Sequence, residues 1–156
     1  MSEPSAPGLE AQARAAVDRI VALGVDNDTA QARAVYAELA ALAAAHPEEA
    51  SLRLWLGWAA FRLVSGHVEP PIAAEAQAVI DDLAAVAEAH PAEPDLREML
   101  ARALAHHVHN RLQANDVAGG RAAHAELSAL SAAHPDESKV QEELAWSVQA
   151  MRLFGF

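Results

Sequence analysis

The chain has 156 residues, enough for one domain of ordinary size, and its 22 acids against 11 bases give a net charge of −11. That balance argues against a nucleic acid or an anionic membrane as partner, because either would need a positive surface. The chain has no cysteine, which excludes disulfides, thiolate catalysis and cysteine-ligated zinc.

Apolar residues make up 53 %, yet 40 residues are alanine and the aromatics are only 4 %. Alanine is the strongest helix former, and with three isoleucines, the single Thr29 and no alternating apolar pattern, the chain is predicted all-α. Residues 1–7 lack the positive start and apolar run of a secretory signal and are read as a flexible lead-in to one domain, 8–156. No segment approaches the ~20 apolar residues of a membrane span, so a soluble cytoplasmic protein with no membrane partner is expected.

In chain order, helices are predicted near 8–24, 28–45, 48–65, 72–89, 92–112, 117–133 and 136–153. Their spacing follows an internal repeat. His46-Pro47, His90-Pro91 and His134-Pro135 stand 44 residues apart, and without a gap Leu39, Leu83 and Leu127 align before them. After them Leu52, Leu96 and Val140 align, as do Leu56, Leu100 and Leu144, and Glu49, Glu93 and Glu137. The repeats run over about 27–70, 71–114 and 115–156. Each proline forces its predecessor out of helical geometry and suits the first turn of the next helix. Each histidine is expected to bond a free carbonyl at a helix C-terminus.

Leu56-Gly57 followed by Ala60, then Val79, Leu83 and Pro91 or Ala123, Leu127 and Pro135, resembles the tetratricopeptide repeat. The resemblance covers roughly 28–153. It implies a right-handed α-solenoid of antiparallel helix hairpins, and a non-enzymatic scaffold that binds a protein or peptide. Two features differ from the family. The period is 44 rather than about 34, and Arg53, Arg97 and Gln141 stand where an aromatic is expected.

Few residues suggest chemistry. The three His-Pro histidines fall in successive repeats, roughly 10 Å apart, too far to share an ion whose ligands lie ~2 Å from it. His106 and His109 share a helix face and form, with His107, the densest titratable cluster. They are the candidates for a divalent-metal or small-ligand site, although no third ligand is signalled and no cofactor is implied. His107 aligns with Leu63 and Met151, which places it partly in the core. Gly119-Gly120 follows no strand and is read as a frayed or delayed helix start. No nucleophile motif or paired carboxylate indicates an enzyme.

The clearest functional signal lies on the helices after each His-Pro. About a third of a turn from the core stripe runs a second line: Trp55, Trp58 and Arg62, then Met99, Arg102 and His106, then Glu143, Trp146 and Ala150. In tetratricopeptide stacks these helices line the concave side. The resemblance therefore makes Trp55, Trp58, Arg62, Met99, Arg102, His106, Lys139 and Trp146 a groove for a peptide or partner helix. The alternative is that the tryptophans are core. At the chain's end Val148, Met151, Leu153, Phe154 and Phe156 suggest an uncovered apolar face, and a homodimer through the last helix. The other reading is that Phe154 and Phe156 fold back on their own repeat; a self-assembling structural repeat is a third functional reading.

Overall fold

The computed structural model describes residues 8–66 and 73–156. The lead-in 1–7, the start of the fourth helix at 72 and the repeat boundary at 70–71 lie outside the described residues. Seven helices and no strand occur among the described residues: α1 Leu9–Val25, α2 Thr29–Ala45, α3 Ala50–Ser65, α4 Ala73–Ala89, α5 Pro94–Gln113, α6 Val117–Ala133 and α7 Ser138–Leu153. The period of 44 is carried into the backbone. α2, α4 and α6 begin and end one period apart, and α3, α5 and α7 begin one period apart.

The helices form two rows. α1, α3, α5 and α7 pack side by side, and α2, α4 and α6 each sit over one junction of that row. Between them runs a continuous core of buried apolar side chains, among them Ile20, Leu39, Leu52, Leu63, Leu83 and Leu96. Small residues let neighbouring helices close up. A Cβ on Gly57 would stand 3.2 Å from the Met99 side chain, so α3 and α5 approach closely there. No helix among the described residues is long and apolar enough to cross a membrane.

The turns show local codes that the repeat alone does not reveal. Asn27 and Asn115, two periods apart, adopt left-handed backbone (φ 57° and 58°) and end α1 and α5. Asparagine tolerates that region better than other residues with a side chain. The aspartates that follow cap the next helices: Asp28 accepts from the Gln31 amide at 3.0 Å and Asp116 from the Gly119 amide at 2.9 Å. α6 therefore starts before its glycines and is neither frayed nor delayed. A Cβ on Gly120 would come within 2.8 Å of Leu112, so that glycine is what lets α6 close on the end of α5.

The His-Pro segments also differ from expectation. The prolines occupy a turn, closed by the Glu49, Glu93 and Glu137 amides donating to the His46, His90 and His134 carbonyls, and the helices begin three residues after each proline. Proline's fixed φ suits the second position of such a turn. The imidazoles do not cap carbonyls. Their Nδ1 atoms lie 3.5–3.9 Å from Glu48, Glu93 and Glu137, while it is the histidine backbone N–H that reaches the end of the helix.

Those glutamates tie one repeat to the next. The Arg53 Nε donates to the Glu93 carboxylate at 3.0 and 3.1 Å, and its Nη1 donates to the Pro47 carbonyl. One period on, the Arg97 Nε donates to Glu137 at 2.8 and 3.0 Å and its Nη1 to the Pro91 carbonyl at 2.8 Å. The fork of a guanidinium serves both acceptors at once. At the third position Gln141 donates instead to the Ser131 and His134 carbonyls.

His107 is 4 % exposed and its Nδ1 has no hydrogen-bond partner. Burial, reinforced by Arg111 and opposed by Asp116, holds its pKa down at about 4. An unfolded histidine titrates near 6.5, so on acidification the unfolded chain takes up this proton first. Stability is then full above about pH 6.5 and declines towards pH 4. From that one group a loss of about 2 kcal/mol between pH 7 and pH 5 is expected in urea unfolding, before most carboxylates titrate. His107→Leu, which places in α5 the residue type found at the equivalent Leu63, should remove that slope.

Candidate functional site

α3, α5 and α7 lie next to one another, so side chains one period apart come together on the outer face of the row. A chain of ring contacts crosses all three helices there. Trp58 meets Phe61 edge-on (centroids 6.0 Å), Phe61 meets His106 (5.2 Å), and His106 lies tilted against Trp146 (5.1 Å). Trp146 also meets His109 at 5.7 Å, and His109 meets Phe154 at 6.0 Å. Two guanidinium groups cover the start of this chain. Arg62 lies over Trp58 and Phe61 at 5.9 and 5.4 Å, and Arg102 over Trp58 at 5.6 Å, within cation–π range.

The two arginines differ in what they have left to offer. Arg102 is held by Glu98 at 2.7 Å and lies 3.4 Å from Glu143. Burial raises the Glu143 carboxyl above the ordinary carboxylate range, and Arg102 pulls it back. Arg62 is exposed and has no carboxylate within ion-pair distance among the described residues. The pKa of His106 is lowered, first by burial and then by His109, Arg102 and Arg62, so a neutral imidazole sits between Phe61 and Trp146.

Of the eight groove residues expected from the sequence, Trp58, Arg62, Arg102, His106 and Trp146 are brought together. Met99 is buried behind them against Gly57. Lys139 lies two turns before Trp146 on α7 and pairs with Glu142 at 3.0 Å. Trp55 and Trp58 are half-buried against the core, whereas Trp146 is 38 % exposed. The ladder thus runs from half-buried rings to an exposed one. Phe61 lies off the line expected from the sequence, although it stands three residues after Trp58 and so shares its face; His109, a candidate metal ligand, and Phe154, a candidate dimer contact, join the same ladder.

His106 and His109 both face Trp146, and no group of three His, Cys, Asp or Glu side chains suited to a metal occurs among the described residues. Around α7, Met151 packs on the Val108, Leu112 and Ala123 cluster and Val148 is half-buried. Phe154 meets His109, and Phe156 lies under the Arg121 guanidinium at 5.2 Å. Both phenylalanines therefore make contacts within their own chain, and Leu153, at 78 %, is the most exposed apolar side chain of the segment.

Comparison with protein families, with curated proteins and with solved structures gave no match.

Proposed function

We infer that the chain is a non-enzymatic interaction module, a tetratricopeptide-like solenoid whose α3–α5–α7 face takes a peptide or a partner helix. The observation that carries this reading is the continuous ladder from Arg62 and Trp58 through Phe61 and His106 to Trp146. Three helices supply it, and its outer end remains open to solvent. Tryptophan and arginine are the residues on which binding energy concentrates at interfaces. Along the ladder Trp146 supplies a partly exposed indole, Arg62 supplies a charge that no carboxylate among the described residues pairs with, and neutral His106 adds ring surface without requiring a counter-ion.

Trp146 and Arg62 are the two members least involved in the core, which makes the reading testable. Trp146→Ala with Arg62→Ala should leave the melting temperature within a few degrees. The same pair should weaken capture of the partner by about 2 kcal/mol or more, roughly thirtyfold. Undiminished capture by the double variant would refute the assignment of this face.

A further inference from the structure

The second row of helices has a different character. α2, α4 and α6 rest on the first row without comparable packing on one another, and a cleft opens in each of the two gaps. The first, between α2 and α4, has a volume of about 420 Å³ and the second, between α4 and α6, about 350 Å³. Each of the eight residues lining the second stands one period after a residue lining the first. Leu56 and Leu100 occupy equivalent positions in the linings, as do Ala40 and Ala84. The arginines in the two linings, Arg53 and Arg97, are committed to Glu93 and Glu137.

The rim of this face is acidic. Glu38, Asp82 and Glu126 occupy equivalent, exposed positions on α2, α4 and α6, and Asp82 lines the first cleft, while Glu88 lines the second. α4 carries Glu75, Asp81, Asp82 and Glu88 with no lysine or arginine. Arg19 approaches Glu38 at 3.7 Å and Arg33 approaches Glu75 at 3.5 Å, and among the described residues Glu126 receives only the neutral Gln77 amide. Apolar clefts rimmed by carboxylates, of which Asp82, Glu88 and Glu126 have no ion pair among the described residues, call for a partner that is apolar and basic together.

The spacing selects its conformation. Successive repeats join through α3, α5 and α7, which pack side by side; at the usual distance of about 8–10 Å between packed helices, one period advances the clefts by about that distance. On an α-helix, residues seven apart lie on one side and about 10.5 Å apart along the axis. On an extended strand, residues on one side recur at about 6.8 or about 13.6 Å, and neither matches. We propose that the α2–α4–α6 face docks a basic amphipathic helix, seating apolar side chains seven residues apart in the two clefts and its lysines or arginines against Glu38, Asp82 and Glu126. This surface is independent of the aromatic ladder.

The test uses the whole chain and a blocked synthetic peptide of three heptads, each with one leucine and two lysines in an alanine background. Binding is followed by titration and by NMR shift mapping. Shifts should centre on Ala40, Ala44, Ala84 and Ala85, and affinity should fall about tenfold between low and moderate salt. Filling the clefts from the exposed positions Ala44→Phe and Glu88→Phe should weaken binding about tenfold or more. Asp82→Asn with Glu126→Gln should do so too, and keeps the test open if the larger side chains disturb folding. The proposal is overturned by absence of binding at ~1 mM peptide, the 4 kcal/mol level below which no specific contact is being made. Equal binding of a peptide with glutamate for lysine, or with leucines five apart, would also overturn it. So would unchanged affinity in the Asp82 and Glu126 variant, or shifts centred on Trp58 and Trp146.

Discussion

Leu100→Ala should destabilise the protein by about 2–5 kcal/mol, the range for truncating a buried leucine, while Leu144→Ala at the equivalent position should cost visibly less. The three residues occupy one register position, but Leu56 and Leu100 are buried and Leu144 is only half-buried. The difference follows from the packing. α5 has α3 and α7 on its two sides and α4 and α6 across, whereas α7 has α5 and α6. In a stack held together by neighbours, the same side chain contributes less where fewer neighbours surround it. Urea unfolding of Leu56→Ala, Leu100→Ala and Leu144→Ala would show it, and equal losses at positions 100 and 144 would contradict the packing order.

Arg97→Ala should cost about 3 kcal/mol, because it leaves the Glu137 carboxylate and the Pro91 carbonyl without the fork that serves both. Truncating one member of a buried pair typically costs about 3–5 kcal/mol. Glu137 is 22 % exposed at its side chain, so the lower end applies. Arg97→Lys should recover little of the loss, since an ammonium cannot span the carboxylate and the carbonyl. The matching pair adds a pH dependence. The Arg53 guanidinium beside Glu93 holds that carboxyl below the usual carboxylate range. Its contribution is therefore complete above about pH 4.3, the ordinary glutamate value, and is lost as pH falls through the lowered one. Arg53→Ala should flatten that part of the acid unfolding curve.

The all-helical fold and its register were legible in the residues themselves, because the helix-breaking His-Pro pairs and the aligned leucines recur at a fixed interval. α2 and α6 start and stop within a residue of the predicted bounds, and α4 stops at its predicted end. α3, α5 and α7 start two residues later than predicted, because the prolines close a turn instead of opening the helix. The glycines of α6 were misread for a similar reason. Backbone freedom suggested a frayed end, whereas close packing on Leu112 is what a missing Cβ provides. Arg53 and Arg97 stood out in the sequence only as departures from an aromatic pattern. Their role needs Glu93 and Glu137, 40 residues away, and no local window brings those together. The ladder was half legible. Helical projection found Trp58, Arg62, Arg102, His106 and Trp146, but a search confined to equivalent positions passed over Phe61, whose counterpart one period on is Ala105.

The central claim is that a partner lies along the α3–α5–α7 face, and photo-crosslinking from position 146 tests it most directly. A benzophenone side chain placed at Trp146, with a second placed at the exposed Val25 at the end of α1 as reference, would be activated in cells that make the protein. A discrete protein adduct is expected from position 146 that is absent from position 25 and is lost when Arg62→Ala is added. No adduct at 146, or the same adducts from both positions, would contradict the claim.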